Sequence, residues 1–282
     1  MVEYNLAWIP ISYLWLLPLG FAIGACGTLI GAGGGFVLVP VLLLLYPDES
    51  PEIITSISLA VVFFNATSGS VAYARMKRID YKSGGIFSIA TIPGAILGAV
   101  TITYFPRRIF DLVFGILMIA ASIYLATDTA RKWETSTDLV PRRYNSYRSL
   151  VDSTGVRYNF SFNAILGTVL SVFVGYVSSL LGIGGGFIHV PILVRLLNFP
   201  VHIATATSHF ILAIMALTGT LVHVLTGAFS HGVRRTIMLS IGVIVGAQFG
   251  AFLSSRIQAD WIIRGLALAL AFVGIRILIV AL

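Results

Sequence analysis

The sequence predicts an all-α, multi-pass membrane protein made of two homologous four-segment repeats, each opening with a glycine-broken, re-entrant segment and the two inverted relative to each other. Three observations predict it. Of 282 residues, 57% are apolar and only 10% charged, with a mean hydropathy of +0.96; soluble chains carry about a quarter charged residues, so lipid must replace much of the water around this one. Eight long apolar runs follow one another along the chain. The pattern that interrupts the first run recurs inside the fifth.

The same composition excludes a disordered chain, a fibrous repeat and a disulfide-stapled module, since the single Cys26 cannot form an internal bridge. The net charge is +7, but Lys and Arg lie between apolar runs instead of along one face, which points to membrane topology and away from nucleic acid. No basic residue precedes Arg75, so the first run lacks the basic flank of a removable signal peptide and is expected to stay in the mature protein.

In chain order, the runs cover about 12–46, 53–73, 84–105, 109–127, 161–198, 201–226, 236–255 and 261–282. Six are about 19 to 26 residues long, enough to cross roughly 30 Å of hydrocarbon at 1.5 Å per residue. The first and fifth are about 35 to 38 residues, or roughly 52 to 57 Å if straight, and must bend or turn back. The first repeat is expected over 1–127, a polar cytoplasmic linker over 128–160 and the second repeat over 161–282. Trp8, Trp15 and Trp261 fall near run ends, where indole rings prefer the membrane interface.

The bend has a chemical signature. Gly31-Ala32-Gly33-Gly34-Gly35-Phe36-Val37-Leu38-Val39-Pro40 matches Gly182-Ile183-Gly184-Gly185-Gly186-Phe187-Ile188-His189-Val190-Pro191 at a constant offset of 151. Downstream, Ser58, Ser68, Gly69 and Ser70 meet Ser208, Thr218, Gly219 and Thr220 at an offset of 150. If each long run crosses once, the halves are parallel; if each is a re-entrant hairpin, they are inverted. The positive-inside rule does not choose, with splits of 12 against 5 and 13 against 5 Lys and Arg. The arm after the first break is about 16 Å of helix, half a bilayer, and ends at Asp48-Glu49-Ser50-Pro51-Glu52, which favours the hairpin with its glycines near the midplane.

Backbone groups freed by a break cannot face lipid, so a break marks a cavity lined by protein, water or solute. Each break is followed by a helix start, whose free amides and positive dipole end suit an anion. Gly31, Gly33, Gly34 and Gly35, with Gly182, Gly184, Gly185 and Gly186, are thus candidate substrate-binding residues, and Pro40 and Pro191 structural ones. Ser58, Asn65, Ser68, Thr207 and Ser208 join them as polar side chains within apolar runs, Ser58 and Ser208 with most weight because both copies keep them. Against that stands the tendency of membrane hydroxyls to bond their own helix. His209 could carry a proton or attract the anion. Gly94, Gly98, Gly246 and Gly250, at four-residue spacing, fit close helix packing instead. No carboxylate lies deep in a run, which leaves no acidic sodium or proton site. Phosphate-loop, zinc-protease, CxxC and nucleophile-elbow patterns are absent, which argues against an enzyme, a cofactor or a metal.

These duplicated motifs, each followed by a Ser-containing stretch and a Ser/Thr-Gly pair, resemble the TauE/SafE family of sulfite exporters over nearly the whole chain except the linker. The resemblance implies a polytopic inner-membrane permease for sulfite or related sulfur anions, organosulfonates and thiosulfate included, carrying over Gly31, Gly33 to Gly35 and Pro40 with Gly182, Gly184 to Gly186 and Pro191. The sequence departs in having Ile57-Ser58 where Thr-Ser is commoner; the second half keeps Thr207-Ser208. The expected partners are a small anion and the lipid bilayer. Direction, coupling ion and oligomeric state, a homo-oligomer included, stay open, as do two alternatives: an anion channel, and a non-transporting sensor or assembly subunit.

Overall fold

The computed structural model describes residues 13–128, 146–254 and 260–281. Ten α-helices and one β-hairpin make up the described regular structure: α1 (Leu16–Ile30), α2 (Gly35–Leu45), α3 (Pro51–Arg75), α4 (Tyr81–Thr101), α5 (Arg107–Asp128), β1 (Ser146–Val151), β2 (Arg157–Phe162), α6 (Ala164–Leu181), α7 (Gly186–Pro191), α8 (Val201–Leu225), α9 (Val233–Leu253) and α10 (Asp260–Ala281). Among the described residues, five helices are long and apolar enough to span a membrane: α3, α4 with its 3₁₀ extension to Tyr104, α6, α8 and α9. The two overlong runs each divide in two, into α1 with α2 and α6 with α7. Trp8 and Arg131, Lys132, Arg142 and Arg143 of the linker lie outside the described residues, as does the side chain of Trp261. Trp15 is exposed just before α1.

Helix starts follow local chemistry. Ser50 caps α3 by accepting from the Ile53 amide at 3.3 Å, with Pro51 in the first turn. Asp80 caps α4 through the Ser83 amide and Asn163 caps α6 through the Leu166 amide. Pro191 ends α7 and a π-helical turn follows over Ile192–Leu196, whereas the matching Pro40 lies inside α2, which continues to Leu45.

Glycine seams set the packing directions. A Cβ on Gly20 would strike the backbone of Leu239, one on Gly24 that of Val243 and one on Gly250 that of Ala25, so α1 and α9 lie backbone to backbone and parallel. Gly94 meets Val172, Gly98 meets Tyr176 and Gly175 meets Thr91 in the same way, making α4 and α6 parallel. The four-residue glycines thus pack helices, as their spacing predicts. Ile57 meets Gly232 and the Ser68 hydroxyl donates to the Ile244 carbonyl, so α3 also runs parallel to α9. Helix α3 is antiparallel to α8, with Gly69 against His209 and Gly219 against Leu59. Helices α5 and α10 are antiparallel, Ser122 donating to the Ala267 carbonyl at 2.6 Å.

These directions dictate the course of the broken runs. Helices α1 and α3 run the same way, so α2 between them returns toward the end where α1 began. Arg235 at the start of α9 accordingly bonds Glu49 at 2.8 Å and covers the Tyr46 ring, just past α2. The same reasoning returns α7 between α6 and α8, and α1 and α6 enter from opposite ends of the bundle.

One element departs from an all-α fold. Residues 146–162, which take in the end of the expected polar linker and the first two residues of the expected second repeat, form an antiparallel hairpin pairing Ser146 with Phe162 and Val151 with Arg157. Asp152 organises its turn, accepting from the Thr154 amide and hydroxyl and the Val156 amide at 2.6 to 3.1 Å. Two ion pairs hold the hairpin to the α3–α4 turn: Arg78 with Asp152 at 3.4 Å and Arg148 with Asp80 at 3.5 Å. Phe160 and Phe162 pack on Phe199, Leu193 and Leu197. An apolar inner face and charged edges give the linker a fold of its own.

Candidate functional site at the paired helix breaks

Both breaks have one backbone form. Gly31 (φ 85°), Gly33 (φ 75°) and Gly34 (φ 79°) are left-handed, as are Gly182 (φ 69°), Gly184 (φ 79°) and Gly185 (φ 66°), a conformation that glycine alone adopts without strain. Gly31 and Gly182 terminate α1 and α6; Gly34 and Gly185 cap α2 and α7.

The breaks meet in the interior. A Cβ on Gly35 would lie 2.6 Å from the Ile183 carbonyl oxygen and one on Gly186 2.5 Å from that of Gly31, so each break packs on the other through positions without side chains. Phe36 stacks on Phe187, ring centroids 5.3 Å apart. Cβ atoms on Gly31 and Gly182 would touch Thr205 and Thr55, and one on Gly184 would lie 2.6 Å from Val62. The glycines that the sequence assigns to a ligand therefore serve first to let two interrupted backbones approach.

The paired serines serve the same junction. Ser58 on α3 donates to the Gly182 carbonyl at 2.6 Å, and Ser208 on α8 donates to the Gly31 carbonyl at 3.5 Å. Each hydroxyl satisfies a carbonyl left open where a helix ends, so its one proton is committed. The amides of Gly35 and Phe36, in the first turn of α2, have no acceptor within their own helix.

Asn65 and His209 differ from the serines. Asn65 is fully buried on α3, its Oδ1 accepting from Thr28 at 3.1 Å while its Nδ2 has no partner. That Nδ2 lies 3.6 Å from the position of a Cβ on Gly34. His209, fully buried on α8, has Nδ1 3.3 Å from the Thr205 carbonyl and an Nε2 without a partner. Thr28 and Tyr73 complete the cluster: the Tyr73 hydroxyl donates to the Thr28 carbonyl at 2.8 Å and its ring meets His209 edge-on. The sequence reading missed Thr28, although it stands three residues before Gly31 and matches Ser179 at the motif's offset of 151.

Two candidates stand apart. Ser68 joins α3 to α9 through Ile244 and Gln248, and Thr207 accepts from the Asp80 amide at the start of α4. His189 contacts Ser171. Asp111, at the start of α5, pairs with Arg107 at 2.8 Å.

Apolar helices long enough to span a membrane, around buried and mutually packed breaks, fit the class of multi-pass membrane transporters. The chain belongs to the sulfite exporter TauE/SafE family, whose model matches residues 16–277. It is 32% identical over 273 residues to the "Probable membrane transporter protein YunE" of Bacillus subtilis, covering 95% of this chain and 97% of that one. It is 24% identical over 266 residues to a "Probable membrane transporter protein" of Methanocaldococcus jannaschii, at 89% and 91% coverage. A Xylella fastidiosa protein of the same description is 26% identical over 243 residues, at 86% and 83%. No solved structure matches the chain.

Proposed function

We propose that the protein moves sulfite or a related small sulfur anion out of the cell by alternating access, with the anion bound where the two glycine breaks meet. The observation that carries this reading is the junction itself: two buried helix interruptions, each packed on the other, with first-turn amides of α2 that have no acceptor within their own helix, Asn65 Nδ2 unpartnered beside Gly34 and His209 Nε2 unpartnered beside Gly69. Such backbone is tolerated at membrane depth where protein buries it or a cavity meets it, and in transporters broken helices of this kind border the solute. The family name and the lack of any buried carboxylate within the five described spans, Asp111 being buried at the start of α5 but paired with Arg107, support an anion as that solute.

The halves are inverted repeats in this reading, supported by the opposed entry of α1 and α6 and the common φ pattern of the breaks. Gly31, Gly33 to Gly35, Gly182 and Gly184 to Gly186 shape the junction, Ser58 and Ser208 hold its carbonyls, and Asn65 and His209 face the anion. Ser68 and Thr207 act through helix packing. The hairpin end, which carries Arg75, Lys77, Arg78, Lys82, Arg148 and Arg157, faces the cytoplasm.

The test is counterflow in proteoliposomes loaded with sulfite, thiosulfate or methanesulfonate. Labelled sulfite should accumulate transiently against its own gradient, and Asn65→Leu should reduce this at least tenfold, a loss of about 1.4 kcal/mol. Conductance that does not saturate would identify a channel instead, and no exchange of any of the three anions would overturn the reading.

A further inference from the structure

We infer that the anion is taken in its monoprotonated form, with its hydroxyl donating to His209 Nε2 and an anionic oxygen accepting from Asn65 Nδ2. This deepens the proposed function and rests on the junction being the substrate site.

The argument starts from two buried atoms with opposite needs. A carbonyl only accepts, so the contact of His209 Nδ1 with the Thr205 oxygen at 3.3 Å assigns the ring proton to Nδ1. Nε2 is then a bare lone pair, fully buried and without a donor. Asn65 Nδ2 is an amide donor, equally buried and without an acceptor. Leaving either unmet costs stability, so the pair describes a ligand.

Both groups border Thr28. Asn65 and Gly69 are one turn apart on the same face of α3. The Thr28 methyl and His209 Nε2 lie 3.1 and 3.2 Å from the position of a Cβ on Gly69, while the Thr28 hydroxyl bonds Asn65. Thr28 thus neighbours both groups, and glycine at 69 keeps a side chain from closing on the imidazole.

Ligand chemistry follows. A sulfonate or a dianion presents only acceptors and would set an oxygen lone pair against that of Nε2. A monoprotonated oxyanion such as hydrogensulfite has one O–H for the imidazole and an anionic oxygen for the amide. If the proton crosses to Nε2, the complex keeps the same composition, so each anion travels with one proton. The second copy cannot repeat this, since Met215 and Leu59 stand at the positions matching Asn65 and His209. Few ionisable groups surround the imidazole. Tyr73 of α3 already donates to Thr28, and Asp80, at the start of α4, is paired with Arg148. Cys26 precedes Thr28 on α1 by two residues, and α9 carries its charges, Arg234 and Arg235, at its opposite end.

The experiment compares counterflow of sulfite with that of methanesulfonate, a monoanion whose three oxygens all accept and which has no hydroxyl. Both are run on the acid and alkaline sides of the ionisation that converts hydrogensulfite to sulfite. Wild-type sulfite flux should fall about tenfold per pH unit beyond that ionisation, following the monoanion, while methanesulfonate exchange stays low and level. His209→Leu should lower sulfite flux at least tenfold and abolish its pH slope, and His209→Gln, which keeps a neutral acceptor, should restore the flux. Sulfite flux that ignores the ionisation, or that rises with the dianion, overturns this inference and leaves the proposed function standing. Failure of sulfite, thiosulfate and methanesulfonate alike to exchange at any pH removes both.

Discussion

Ser58 and Ser208 show how one hydroxyl can belong to a junction rather than a ligand. Each caps the first glycine carbonyl of the opposite break, but the Ser58 contact is 2.6 Å and the Ser208 contact 3.5 Å. A hydrogen bond weakens steeply with stretch, and an orphaned buried carbonyl costs about 1–3 kcal/mol. Ser58→Ala should therefore lower stability by about that amount and Ser208→Ala by clearly less, read from thermal unfolding in detergent. Equal or reversed losses would show that the two contacts are not the unequal caps described here. The serines were legible as a pair because an offset of 150 carries one onto the other. Their partners were not, since nothing in a linear pattern says which distant carbonyl a hydroxyl will reach. The same limit hid Thr28, whose importance comes from standing between α3 and α8.

At the scale of elements, the broken runs were visible as excess length and repeated glycine, and their hairpin course agrees with the half-bilayer reach of the arm ending at Tyr46. The β-hairpin was hidden because attention to long apolar runs passes over short alternation. Its signals, Tyr158, Phe160 and Phe162 at every second position after the turn residues Asp152 to Gly155, are present all the same. The hairpin also carries a pH dependence. Burial disfavours the charged form of Asp152, but hydrogen bonds from Thr154 and Val156 and the Arg78 guanidinium outweigh it and hold this carboxyl below its ordinary value. A depressed folded-state value contributes stability that is complete above the unfolded value, about 3.9, and is lost as pH falls through the folded one. Hairpin docking should accordingly be unaffected from neutrality down to about pH 5 and weaken below about pH 4, followed by protease cleavage within 146–162. Asp152→Asn should loosen it at neutral pH; docking of that variant as firm as the wild type would dismiss the carboxylate as organiser.

Across the whole molecule, the reading rests on which end faces which compartment. In a Cys26→Ala background, Ser153→Cys in the hairpin turn and Ser230→Cys between α8 and α9 put single thiols at opposite ends, both at exposed positions. A membrane-impermeant maleimide added to intact cells should label Ser230→Cys and spare Ser153→Cys until the membrane is opened. Labelling of both from one side would contradict the helix directions, and the reverse pattern would turn the protein over in the membrane.

The parallel seam between α1 and α9 has a consequence for synthesis. Gly20 finds Leu239 only after more than two hundred further residues have been made, which at bacterial elongation rates of about 5–20 residues per second takes roughly ten to forty seconds. Through that interval a short apolar arm, ending in left-handed glycines and too brief to span the bilayer, stands without its neighbour. The nascent chain must shelter α1 against the insertion machinery or provisional lipid contacts until α9 emerges. Ribosomes stalled before residue 239 should therefore hold an N-terminal arm that remains open to chemical attack.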